Sequence, residues 1–130
     1  MADPQKQLQA LTDEYQNIQT ELQEVVAARE KLEAQQQENQ GVQKEFSSLN
    51  NSANIYKLVG PILLKQDKTE AVMAVDGRLD FIEKEIKRIE KQIAEIEEKS
   101  EKKKIDIIQF QTAMQQQQQQ QQPQATPASA

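Results

Sequence analysis

Residues 55–65 read Ile-Tyr-Lys-Leu-Val-Gly-Pro-Ile-Leu-Leu-Lys, and the interpretation of this stretch decides the fold. Two short runs of β-branched, aromatic and leucine side chains flank Gly60-Pro61, which predicts two strands about a tight turn. Gly-Pro is not among the dipeptides most favoured in two-residue hairpin turns, so the element is expected without a defined register. Pro61 also lacks a backbone donor. A lone two-stranded hairpin is marginal in water. This one offers apolar side chains to both faces, with Tyr56 and Leu58 opposite in sense to Ile55 and Val59. Its uncovered faces and open edges predict pairing with equivalent hairpins of other subunits, through Ile55, Tyr56, Leu58, Val59, Ile62, Leu63 and Leu64. The alternative is a hairpin folded down onto its own helices around Phe81.

Upstream of the hairpin, Leu8, Leu11, Tyr15, Ile18, Leu22 and Val25 recur at alternating spacings of three and four. Polar Arg29, Gln36 and Asn39, with Leu32 among them, continue the same register. This is a coiled-coil seam. It resumes one residue early at Val42, Phe46 and Leu49, as a small stammer would require. Asn50, Asn51 and Asn54 end the helix.

Downstream, Val72, Val75, Leu79, Ile82, Ile86, Ile89, Ile93, Ile96, Ser100, Lys103, Ile107, Phe110 and Met114 form a second array. Asp67 followed by Glu70 fits a capping box at its start. Two helices of about 47 residues, each ~70 Å long, are implied. Folding the chain back sets Leu49 beside Val72, Val25 beside Ile96 and Leu8 beside Met114, so the seam closes within one chain. An intermolecular coiled coil would share the heptads, but it would not need two arrays matched in length and phase around a short connector. The expected fold is mainly α: a long antiparallel two-helix coiled-coil hairpin, with one short β-hairpin connecting the helices. Its boundaries are a helix over about 5–51, a β-hairpin over about 55–65 and a helix over about 68–114. Together they form one domain over 1–114, followed by a disordered Gln-rich tail over 115–130.

Near the chain ends the seam changes character. Ser100 is expected to face Leu22 and Lys103 to face Ile18, placing polar atoms in apolar layers and easing local opening. Apolar residues then return in force. Ile105 and Ile108 fall at positions that point away from the partner helix, where a self-contained coiled coil has no use for them. With Leu8, Leu11, Tyr15, Ile107, Phe110 and Met114 they form an apolar patch larger than the seam requires. The patch predicts a surface for exposed hydrophobic segments of other proteins, since Met and Phe adapt to varied apolar shapes. Plain closure of the coiled coil is the simpler alternative, and Ile105 and Ile108 are what it leaves over.

Composition narrows the function classes. Hydrophobic residues make up 36% of the 130, aromatic residues 4% and charged residues 28%. Mean hydropathy is −0.85, too polar to close a globular core. Neither histidine nor cysteine occurs, which removes thiolate zinc sites, cysteine nucleophiles and His-based acid/base relays. No convergent polar pocket is predicted, so no catalytic residue, metal site or cofactor is expected. The net charge is −5, and residues 1–52 hold four cationic against nine acidic side chains, arguing against nucleic acid. Lys102-Lys103-Lys104 is flanked by Glu98, Glu101 and Asp106 and reads as a solvated helix face. No apolar run spans a bilayer and no signal sequence opens the chain, so a soluble cytoplasmic protein without a membrane partner is expected.

The hairpin IYKLVGPILLKQD over 55–67 and the phrase TEAVMAVDGRLDFIEKEI over 69–86, set between matching coiled-coil arms, carry a resemblance. The chain resembles the β class of the prefoldin family over residues 5–114. The single short connector distinguishes it from the α class, which carries two hairpins. The resemblance implies a heterohexamer of sister α- and β-class subunits, whose hairpins join into a double β-barrel base from which the coiled coils hang. It further implies ATP-independent capture of unfolded or nascent proteins, such as actin and tubulin, and their delivery to the cytosolic chaperonin. Assembly would fall to Ile55 through Leu64, and client contact to Leu8, Leu11, Tyr15, Ile107, Phe110 and Met114. A coiled-coil structural adaptor or tether without client-holding activity is the other reading, although it has no reason for a β-hairpin at the bend.

Overall fold

The computed structural model describes residues 3–50 and 53–121. Its elements in chain order are α1 (Pro4–Ser48), β1 (Ile55–Val59), β2 (Ile62–Gln66) and α2 (Lys68–Gln121). Two long helices are thus joined by one short antiparallel hairpin, as expected from the heptads and the residue 55–65 pattern.

Helix α1 starts on a cap that the periodicity does not reveal. The Asp3 carboxylate accepts from the Gln5 amide at 3.0 Å, while Pro4 occupies the first helical position, where its missing N–H costs nothing. The helix stops at Ser48, short of the expected 51. Ser47 and Ser48 donate their hydroxyls back to the carbonyls of Lys44 and Glu45, and the Leu49 amide closes a tight turn on Phe46 at 3.2 Å. Lys68 then donates its Nζ to the Leu49 carbonyl at 2.9 Å, satisfying an acceptor that the helix end leaves open. Asn51 lies outside the described residues.

The hairpin register is Ile55↔Gln66, Tyr56↔Lys65, Lys57↔Leu64, Leu58↔Leu63 and Val59↔Ile62. Gly60 and Pro61 are therefore the two turn residues, and Gly60 takes a φ of +60°. Positive φ at the first central residue and negative φ at the second is the sign pattern of a type II′ turn, which suits the twist of paired strands. Gly-Pro, unpromising as a dipeptide, meets that demand: glycine supplies the left-handed step and the proline ring holds the second φ negative.

The Ala71 amide donates to the Asp67 carbonyl at 2.9 Å, the first bond of α2, with Glu70 in the first turn. The helix does not end at Met114. It continues through seven glutamines to Gln121, because glutamine is a good helix former and nothing there breaks the turn. The expected disordered tail over 115–130 is corrected to that extent, and residues 122–130 lie outside the described set.

The molecule divides into two compact units, one of Met1–Glu24 with Ile93–Ala130 and one of Val25–Gln92. In each, the two helices run antiparallel. Within Val25–Gln92, Arg29 reaches Glu90 at 2.9 Å and Gln43 donates to Asp76 at 2.8 Å. Within the other unit, Glu14 pairs with Lys103 and Gln19 with Ser100. The seam positions from Leu8 to Phe46 on α1, and Leu49 just past its end, are half-buried, and no residue of α1 is buried. On α2, Val75, Ile82, Ile86, Ile89 and Ile96 are buried, on the stripe the 3-4 spacing predicts.

Candidate functional site

In the unit Val25–Gln92, alternation along the strands sorts the hairpin side chains onto two faces. Ile55, Lys57, Val59, Ile62, Leu64 and Gln66 share one, and Tyr56, Leu58, Leu63 and Lys65 share the other. Among the predicted assembly residues, Ile55 alone is buried, at 8% exposure, in a groove it lines with Val42, Phe46, Ala71 and Val75. Tyr56, Leu58, Val59, Ile62, Leu63 and Leu64 are exposed, Leu58 most of all at 68%. Folding of the hairpin onto Phe81 is overturned: Phe81 is itself 63% exposed. One residue at the root of β1 anchors the hairpin, and two apolar faces remain uncovered. Exposed apolar surface so concentrated is unusual on a chain that works alone.

The unit of Met1–Glu24 with Ile93–Ala130 holds all eight residues predicted for client contact. Leu8, Leu11 and Tyr15 on α1, and Ile107, Phe110 and Met114 on α2, are half-buried on the inward stripes. Ile105 and Ile108 point outward, 46% and 53% exposed, off the inward stripe that the six seam residues form.

The polar layers are better satisfied than heptad reasoning implies. Ser100 does not simply oppose Leu22: its hydroxyl accepts from the Gln19 side-chain amide. Lys103 reaches Glu14. That hydrogen bond, with weaker charge attraction from Glu14 and Asp106, outweighs partial desolvation and raises the lysine above its ordinary range. In the other unit Arg29 sits at a seam position, paired with Glu90 at 2.9 Å and Glu33 at 3.2 Å. The hydrogen bond that Arg29 donates to Glu90 leads the causes that hold its guanidinium above its ordinary range. Neither Glu14 nor Gln19 is a seam position, so the heptad pattern does not point to them. Each stands beside one, next to Tyr15 and Ile18, and flanking positions are where coiled coils place such partners.

Among the described residues no cluster of acidic, histidine or cysteine side chains could hold a metal ion. No helix among them is long and apolar enough to cross a membrane.

Comparison with known proteins gives this geometry a context. The family model described as "Prefoldin subunit" matches residues 9–121. The chain is 41% identical over 111 residues to prefoldin subunit 6 of Bos taurus, covering 85% of this chain and 86% of that one. It is 46% identical over 96 residues to prefoldin subunit 6 of Saccharomyces cerevisiae, covering 74% and 84%. In structure it is similar to the prefoldin beta subunit from Thermococcus strain KS-1, with a TM-score of 0.74 and 27% identity, over 82% of this chain and 94% of that one. Sequence, helix-hairpin-helix order and solved fold agree: the chain belongs to the prefoldin family and is a co-chaperone subunit of the kind that works in a hexamer with other prefoldin subunits.

Proposed function

We propose that this chain joins sister α- and β-class subunits through Ile55 to Leu64, holds unfolded or nascent proteins on the apolar surface of the unit Met1–Glu24 with Ile93–Ala130, and delivers them to the cytosolic chaperonin. It does so without ATP, cofactor or catalysis, in the cytoplasm, with clients of the actin and tubulin kind. The observation that carries the reading is the hairpin whose two five-residue strands leave six large apolar side chains, spread over both faces, exposed. Assembly would bury them and give the open strand edges hydrogen-bond partners in one step. Binding of clients rests on Ile105 and Ile108, which the seam does not use, beside half-buried Phe110 and Met114.

The test separates assembly from holding. Native mass spectrometry of the tagged full chain, co-expressed with its sister prefoldin subunits, should show a discrete six-chain particle. The triple change Ile105→Ser, Ile108→Ser, Phe110→Ser should leave that particle intact while abolishing suppression of aggregation of denatured actin, read by light scattering. Unchanged suppression would refute the client surface. A homodimer in place of the hexamer would favour the coiled-coil adaptor.

A further inference from the structure

Within the unit Val25–Gln92, α2 carries Met73, Gly77 and Phe81 at four-residue spacing, which places them along one ridge of the helix surface. Met73 is 69% exposed, more so even than Phe81, and the residue between them has no side chain at all. Glycine inside a helix needs a reason, because it loses more backbone freedom on folding than any other residue. The chain's own packing supplies none. A Cβ at Gly77 would meet no heavy atom within 4 Å, and Gly60, not Gly77, has the positive φ.

Ala74, Gly77, Arg78 and Phe81 stand at i, i+3, i+4 and i+7, the four corners of the hole that receives a knob when another element packs on a helix. These four line one concave surface. Two of its corners are small, so the hole is deep enough to approach the backbone, with Phe81 as a wall and Glu38 and Asn39 on a polar rim. Ala74 and Arg78 also line the groove whose other wall is Tyr56, Lys57 and Leu58 of β1. The hole is thus continuous with the groove between the hairpin and α2.

We propose that this hole receives an apolar side chain from the β-hairpin of a sister prefoldin-type subunit, laid against β1. The inference rests on the reading that subunits assemble through their hairpins, and it extends the interface onto a helix face. Continuity with β1 favours a hairpin as the occupant over an unfolded client. A hairpin with protruding apolar side chains, like Leu58 and Leu63 of this chain, suits a hole that offers the Phe81 ring beside polar Arg78, Glu38 and Asn39.

Gly77→Leu in the full chain, co-expressed with its sister α- and β-class subunits, tests this by native mass spectrometry. The six-chain particle should fall about tenfold or more, while the helicity and melting midpoint of the chain on its own stay level or rise, since leucine favours the helix and finds empty space. Phe81→Ser, at an exposed position, should weaken the particle without unfolding the chain. Wild-type assembly by both variants would overturn the proposal. So would normal assembly with lost holding of denatured actin, which would assign the hole to clients. A lower midpoint for Gly77→Ala would also overturn it, by showing that the glycine serves the chain's own helices. The double change Leu58→Ser, Leu63→Ser keeps the two readings apart. If it blocks assembly and Gly77→Leu does not, only the helix-face inference fails; if it too assembles normally, the hairpin reading has failed.

Discussion

The two compact units are built from the same two helices yet differ in what holds them. Among the described residues, Val25–Gln92 contains six of the seven buried apolar side chains, Ile55, Ala71, Val75, Ile82, Ile86 and Ile89. The unit of Met1–Glu24 with Ile93–Ala130 contains Ile96. Beyond Ile96 its inward stripe on α2 passes through Ser100 and Lys103, and the residues that follow are half-buried. Burial of isoleucine is the main source of stability in a two-helix seam, and the ion pairs on the outer face of α2, such as Lys84 with Asp80 and Arg88 with Glu85, add little because they are exposed. The difference is one of packing. One unit buries most of its seam side chains, and the other keeps its apolar side chains only partly committed to its own fold, where local opening costs less.

The sharpest way to break this comparison is to remove matched side chains. Ile86→Ala deletes a buried seam residue and should cost about 2–4 kcal/mol. Ile107→Ala deletes a half-buried one in the other unit and should cost about 1 kcal/mol, because less apolar area leaves water there to begin with. Denaturant unfolding followed by circular dichroism measures both. Equal losses would mean that the units are equally packed and that the difference in burial has no energetic basis.

A smaller effect sharpens the account of the hairpin. Gly60 has a φ of +60° with nothing within 4 Å of a Cβ placed there, so Gly60→Ala suffers no clash and bears only the cost of a left-handed residue, roughly 1 kcal/mol. Amide exchange should quicken in β1 and β2 while the Ile82 to Ile89 segment stays protected. Loosening of both together would show that the turn, and not the seam alone, supports the unit.

How much of this was legible depends on which force sets each feature. The seams were readable residue by residue, because apolar spacing of three and four leaves one stripe to bury: every position from Leu8 to Leu49 and from Val72 to Met114 named in the arrays is half-buried or buried. The hairpin was readable from composition, but its register was not, since that depended on whether Gly60 would take positive φ. The end of α1 was misplaced because serine hydroxyls compete locally for the last carbonyls, a short-range contest that periodicity does not register. The glutamine run differs for the opposite reason: low complexity suggests disorder, yet glutamine offers no obstacle to a helix, and α2 runs on to Gln121. At the candidate surfaces, exposure of Ile105 and Ile108 followed from heptad phase. Gly77 did not stand out, because the absence of a neighbour is visible only in three dimensions.

The finest distinction between the units lies in how their seam cations respond to alkali. Lys103 is raised above its ordinary value of 10.5, first by its hydrogen bond to Glu14, against an opposing desolvation. A cation raised in the folded state contributes stability that is fully present below its unfolded value and is lost as pH climbs through the folded one. The Lys103–Glu14 contribution should therefore persist to about pH 10 and fade above it. Lys103→Met removes the titrating group, so the difference in denaturant midpoint between wild type and this variant should change between about pH 9 and about pH 12. Arg29, held above the ordinary guanidinium range chiefly by Glu90, remains charged across that window, and an Arg29→Met difference should stay flat. A flat response from both would mean that the Lys103 pair is too exposed to matter, and that the unit rests on the leucine, isoleucine and phenylalanine contacts of its seam.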